Sequence, residues 1–267
     1  METPLSADQV EAAATALTRA RRQIVQLSGL DDATPNDLRS AHAIADLHAE
    51  QLGWSVVGWK IGCTSAEAMQ ILNSPGPFAG RVFDGTVYQS AILHHDAMIN
   101  PSLESEFAFI LGRDLPSRGA PYTVDDVRAA TIAVAPALEI VAPRFDDFTG
   151  VGYLSLIADS GANGGVVFGE PVSIEQCPEL SGVHVELDID GLTVKRGVGD
   201  AILGDPWRAL EWLANHLSAR QTGLRAGDFV MSGTCTGIDP LPPGSVATGR
   251  FAGLGDVLIE RTEPATD

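Results

Sequence analysis

Two stretches decide the fold: residues 103–111, LESEFAFIL, and residues 132–141, IAVAPALEIV. Both have the length and the β-branched and aromatic content of buried strands. In the first, Glu104 and Glu106 stand two residues apart, and strand geometry puts such residues on one face, about 6 to 7 Å apart. They share that face with Ala108 and Ile110, so it is otherwise apolar. Two like charges buried there without partners are costly, and a hard divalent cation with oxygen ligands, Mg²⁺ or Mn²⁺, removes the cost. An edge strand with its acidic face in water is the alternative reading of this spacing alone. Glu139 sits inside the second run, where an exposed acid is hard to accommodate and a buried one needs a partner. Lys60, in the apolar run VVGWKIG, is the cation available to balance three acids, although a lone strand lysine can also snorkel to solvent.

Outward from these runs, the chain from Ser55 onward reads as short β-rich segments punctuated by Gly and Pro, among them SVVGWKI, RVFDGTVY, VHVELDI, DFVMSG and DVLIE. Asp190-Gly191 between VHVELDI and LTV is a two-residue type I′ hairpin signal. Asp205-Pro206 opens a helix carrying Trp207, Leu210, Leu213 and Leu217 on one face. Before Ser55 the period is helical. Ser6 with Gln9 forms a capping box for a helix over about 7–27, and Thr34 with Pro35 starts a second that closes at Gly53. The expectation is an α+β chain, with an N-terminal helical cap over 1–54 and a β-rich catalytic domain over 55–267, packed as one unit because no long linker separates them.

A net charge of −18 and a pI near 4.5 oppose binding to nucleic acid or to an anionic membrane surface. No signal-peptide pattern or long apolar run is present, and Cys63, Cys177 and Cys235 lie far apart without CxxC spacing, so a reducing cytoplasm is the expected location. The six histidines form no ligand pattern, and Cys235 has no identifiable histidine to activate it. The glycine-rich stretches ADSGANGG (158–165) and SGTCTG (232–237) fit anion-binding loops, with Ser160, Thr234 and Thr236 as hydroxyl donors to a substrate carboxylate; simple turn chemistry explains each equally well. Neither matches a P-loop or a Rossmann fingerprint.

Taken together, GWKIGCTS, LESEFAFIL, ALEIV, LIADSGANGG, AILGDPWRALEWLANHL and LRAGDFVMSGTCTG resemble the 2-keto-4-pentenoate hydratase family, in the hydratase and decarboxylase branch of the fumarylacetoacetate hydrolase superfamily. The resemblance runs over about residues 38–260. It implies a mixed β-barrel-like fold of curled sheets, assembly into a homo-oligomer, and a divalent metal held by Glu104, Glu106 and Glu139. It also implies substrate-side or proton-relay roles for Lys60 and Asp159. Two departures stand out: Ser160 replaces the usual Asn after Ala158-Asp159, and SPGPFAGRVFDG replaces an acidic D-Y-G-like loop implicated in proton handling. The superfamily's C–C hydrolases use a His-Glu pair on a lid, whereas this chain offers Glu67 in CTSAEAMQ without a histidine, which ranks hydrolysis below hydration or decarboxylation.

The expected substrate is a small 2-oxo acid, chelated through a carboxylate and its 2-oxo oxygen so that the cation stabilises a developing enolate. Protonation of the dienol followed by addition of water at C4 gives a 4-hydroxy-2-oxo acid. Loss of CO₂ from a 4-oxalocrotonate-like acid, or retro-aldol cleavage, uses the same electron sink. A binding protein that keeps the fold but not the catalysis is the rival class, and the three retained carboxylates weigh against it. Because Pro75, Gly76, Pro77 and Gly80 favour an irregular path, the segment from Ser74 to Asp84 is expected to read the substrate's tail through Phe78 or Arg81.

Overall fold

The computed structural model describes residues 3–264. Two helices come first, α1 (Ala7–Gln23) and α2 (Leu38–Leu52). The capping box at Ser6 and Gln9 starts α1 as its sequence indicates, but the helix stops short of residue 27 because Ile24 turns left-handed and returns its N–H to the Ala20 carbonyl. α2 starts later than the Thr34-Pro35 signal suggests. Thr34 spends its hydroxyl closing a 3₁₀ turn on the Asp31 carbonyl (2.8 Å), and the Asp37 carboxylate caps Ser40 N–H instead (2.9 Å).

From Val56 the chain builds strands β1 (Val56–Gly62), β2 (Phe78–Phe83), β3 (Ile92–Leu93), β4 (Ser102–Leu111), β5 (Thr131–Val141) and β6 (Asn163–Phe168). These are followed by β7 (Val172–Ser173), β8 (His184–Ile189), β9 (Leu192–Val198), β10 (Phe229–Pro240), β11 (Val246–Phe251) and β12 (Gly255–Arg261). The helices among them are α3 (Ala66–Ile71), α4 (Val124–Ala130), α5 (Tyr153–Ala158) and α6 (Pro206–Ala219). One sheet has the order β2-β1-β10-β4-β5-β6, with β7 also on β5, and the other the order β3-β12-β11-β8-β9. The architecture is α+β with two curled sheets. Among the described residues, no helix is long and apolar enough to cross a membrane.

The main core lies where the two sheets and α6 meet, with Phe107 against Phe251 and Phe109 against Trp207 at ring separations of 5.4 and 4.6 Å. A second apolar cluster joins α1 and α2 to α5 and to Cys63 and Phe78 at the end of β1 and start of β2, so the N-terminal helices pack directly on the strands that build the cleft described below. The hairpin between β8 and β9 turns at Asp190 and Gly191, both at positive φ (51° and 79°), as a type I′ turn requires.

The Pro and Gly content of 74–84 misleads about its path, because from Phe78 it is a regular strand, paired antiparallel to β1 with Phe78 opposite Gly62, Gly80 opposite Lys60 and Arg81 opposite Trp59. Partners across a ladder share a face, so Phe78 joins the Lys60 face while Arg81 joins the other. SGTCTG is likewise no loop but part of β10, whose register against β4 slips between Met231 and Thr234 and again between Thr234 and Ile238.

Candidate metal centre and cleft

Glu104 pairs directly with Glu139 across the β4–β5 ladder, and Glu106 pairs with Thr234 on β10. One carboxylate oxygen from each of the three glutamates lies within 4.8 Å of those of the other two. The β10 bulge gives Gly233 a φ of 95° and turns its N–H onto Glu106 Oε2 at 2.8 Å. Lys60, almost fully buried, brings Nζ to 3.4 Å from Glu139 Oε2, and Asn163 donates Nδ2 to Glu139 Oε1 at 3.0 Å.

Burial pushes the Glu104 carboxyl up to about 7, a rise that Lys60 moderates and Glu139 reinforces. Burial, then Glu139 and Glu104, hold Glu106 well above the usual carboxylate range. Burial alone pulls Lys60 down, but the three glutamates outweigh it and its pKa is raised. Three carboxylates against one ammonium leave two negative charges for a divalent cation to balance. Glu106 Oε1 is buried without a hydrogen-bond donor, and Glu139 Oε2 has only the Lys60 ammonium at 3.4 Å, as carboxylate oxygens held for a cation would be. The donor set therefore fits a hard divalent cation.

The carboxylates open into a cleft of about 460 Å³ lined by Lys60, Phe78, Glu104, Thr234 and Thr236, with Glu67 of α3 exposed at its rim. Phe78 lies with its ring centre 5.8 Å from Lys60 Nζ. The Thr234 and Thr236 hydroxyls both reach the Gly237 carbonyl, at 3.1 and 3.3 Å, so they brace the bulge as well as line the wall.

Three expected site residues are not gathered there. Arg81 points away and pairs with Asp46 of α2, with its guanidinium 5.2 Å from the Trp59 ring centre, because its place in β2 sets it on the face opposite Lys60. Asp159 is fully buried and committed elsewhere: Oδ1 takes Arg144 Nε at 2.6 Å and Oδ2 takes Arg144 N–H at 2.9 Å. Both of its oxygens are thus taken up by Arg144, away from the cleft lining. Ser160 is buried beside the cleft rather than lining it; the turn it occupies lies so close to β2 that a Cβ on Gly80 would come within 2.0 Å of its carbonyl oxygen.

Sequence reasoning missed Asn163, Arg144, the Gly233 N–H and Lys195, which reaches the mouth of the cleft from β9. A buried Asn heading the apolar run NGGVVF was the available signal for the first. His94, His95 and Asp96 form a second donor cluster on a surface turn, where His94 pairs with Asp96 and His95 with the Thr262 hydroxyl.

The fold and these carboxylates define a known class. The model for the fumarylacetoacetate (FAA) hydrolase C-terminal region matches residues 66–261, and the chain belongs to the fumarylacetoacetate hydrolase family. It is 33% identical over 266 residues to the 2-keto-4-pentenoate hydratase of Paraburkholderia xenovorans (strain LB400), with 96% of each chain covered. It is 30% identical over 209 residues to the 4-oxalocrotonate decarboxylase of Pseudomonas sp. (strain CF600), covering 78% of each. Among solved structures, the 4-oxalocrotonate decarboxylase from Pseudomonas putida G7, complexed with magnesium and adipate, superposes with a TM-score of 0.89 at 27% identity, over 97% of this chain and 100% of that one.

Proposed function

We propose that this chain is a divalent-metal-dependent hydro-lyase that takes a 2-hydroxy-2,4-dienoate, the dienol of a 2-oxo-4-enoate, and adds water to give a 4-hydroxy-2-oxo acid. The observation that carries the reading is the convergence of Glu104, Glu106, Glu139 and Lys60 beside one cleft, whose wall Lys60 and Glu104 line. Similarity to a 2-keto-4-pentenoate hydratase along nearly the whole chain supports it.

In this reading the three glutamates hold Mg²⁺ or Mn²⁺. When bound, the cation supplies Lewis-acid polarisation of the substrate's 2-oxo and carboxylate oxygens. Lys60, whose pKa is raised, keeps its proton at neutral pH and offers an ammonium to the substrate carboxylate. The Thr234 and Thr236 hydroxyls orient that end of the substrate, and Phe78 shields it from bulk water. Glu67, exposed at the rim, passes protons between cleft and solvent. The balance is simple: one proton adds at C5 of the dienol, its hydroxyl proton leaves as the 2-oxo group forms, and water adds across C3 and C4. The test is loss of the dienoate's ultraviolet absorbance with appearance of the 4-hydroxy-2-oxo acid by mass spectrometry, dependent on added Mg²⁺ or Mn²⁺. A chain that binds the cation but leaves the dienoate unchanged is no hydratase.

One observation favours decarboxylation of a 4-oxalocrotonate-like dicarboxylic acid as the second reading: Lys195 at the cleft mouth, 3.5 Å from Asp239, can trade that partner for a second substrate carboxylate. Release of CO₂ from such an acid tests it. Assembly into a homo-oligomer is supported by Leu192, Val194, Val246 and Leu258, left exposed on the five-stranded sheet, and light scattering tests it. A cytoplasmic location completes the proposal, supported by three cysteines that form no disulfide.

A further inference from the structure

Beyond the residues that line the cleft, a chain of contacts runs from the N-terminal helix to one of the three glutamates. Asn163 is fully buried and holds Glu139 Oε1 through its side-chain amide at 3.0 Å. It opens β6 opposite Val141, just after the β5–β6 register slips, and that slip sets its position relative to Glu139. Its backbone carbonyl accepts two guanidinium hydrogen bonds, from Arg21 Nη2 of α1 at 2.6 Å and from Arg144 Nη1 at 3.0 Å. Arg144 is in turn locked by Asp159. Arg21 has no carboxylate partner among the described residues, and its Nε is buried without any hydrogen-bond acceptor. Besides its bond to the Asn163 carbonyl, the half-buried guanidinium has the Phe83 ring, whose centre lies 5.5 Å away. Among the described residues, its side chain's one hydrogen bond goes to the residue that holds Glu139 Oε1.

We infer that Asn163 is a positioning residue for Glu139 and that Arg21 extends this role to α1, so the N-terminal helix is part of the scaffold that shapes the cation site. The inference rests on the three-carboxylate reading of that site. Glu139 faces Glu104 directly, and repulsion between them drives the side chains apart unless something fixes one. Asn163 supplies the fixing donor, and the two charged donors on its carbonyl deny its backbone the freedom to follow Glu139 away. Groups that orient a metal ligand are typically worth about 10 to 100-fold in metal affinity.

The experiment is calorimetric titration of Mg²⁺ and Mn²⁺ into the metal-stripped full chain, as wild type and as Asn163→Ala, Arg21→Met, Arg21→Lys and Arg22→Met, with thermal melting of each. Arg22 is the control: it sits beside Arg21 but donates to the Gln51 and Leu52 carbonyls of α2 and touches nothing at the site. The expected result is roughly tenfold weaker cation binding for Asn163→Ala, a smaller loss for Arg21→Met that Arg21→Lys partly restores, and unchanged affinity for Arg22→Met even where its melting temperature falls. If wild type binds and both Asn163→Ala and Arg21→Met bind as tightly, the positioning role is wrong. Equal weakening by Arg22→Met would also overturn it, by reducing the effect to general loosening of α1. If wild type itself binds no cation, the three-carboxylate reading has failed instead.

Discussion

Glu104 and Glu139 stand directly opposite each other on neighbouring strands, two acids in one cross-strand pair whose carboxylates also approach Glu106. Like charges in that relationship destabilise a sheet. Since burial and Glu139 push Glu104 up to about 7, the native state without a cation binds a proton there that the unfolded chain, with a glutamate pKa of about 4.3, has already lost. Raising the pH from about 4.3 through 7 therefore costs the native state relative to the unfolded one. The melting temperature of chelator-treated protein should fall over that window, and added Mg²⁺ should raise it more at pH 8 than at pH 5. A metal-induced shift independent of pH would contradict this.

Glu106→Ala removes the ligand fixed by Gly233 N–H and should abolish measurable calorimetric binding of Mg²⁺ or Mn²⁺. Turnover should vanish with it. Melting of the metal-free variant should not fall as far as a usual buried truncation, because one repelling charge has gone.

Lys60→Met leaves the carboxylates without their ammonium and should lower kcat/KM at least about tenfold, equivalent to roughly 1.4 kcal/mol. Steady-state kinetics at saturating metal reads this directly, and an unchanged value returns Lys60 to a purely structural role.

Asp159→Ala strands Arg144 in a buried site, a change that typically costs about 3–5 kcal/mol. Denaturant unfolding should show a loss of that order. A variant of normal stability but no activity would instead restore Asp159 to the catalytic machinery.

Arg81→Leu should cost about 1 kcal/mol or less, since the ion pair with Asp46 is partly exposed and Asp46 keeps Arg220 at 2.9 Å. The ratio of kcat/KM for mono- and dicarboxylic 2-oxo-4-enoates should stay as in wild type, because the side chain lies outside the cleft. A changed ratio would put Arg81 back in contact with the substrate tail.

What the sequence made legible is what strand periodicity controls. Glu104 and Glu106 must share a face, Glu139 must be buried, and neither conclusion needs tertiary knowledge. The same rule would have turned Arg81 away from Lys60 had β2 been recognised, but Pro75, Gly76, Pro77 and Gly80 hid its regular part. Asn163 escaped notice because its contact with Glu139 depends on a one-residue slip between β5 and β6, which no local pattern announces. The partner of Asp159 was hidden for a related reason: an acid in a polar-looking segment gives no sign that Arg144 folds back onto it.

The crossing of β9 over β10 has its own consequence. A Cβ on Gly197 would lie 1.9 Å from the Cys235 carbonyl oxygen, so the two sheets touch backbone to backbone beside the bulge that carries Thr234 and Thr236. That seam splits the cleft between two parts: Lys60 and Glu104 line it from the large sheet, and Lys195 lines it from the small sheet. Substitutions on β9 short of Gly197 change the cleft wall without touching the strands that carry the three acids. A scaffold divided this way can change its diet while keeping its chemistry.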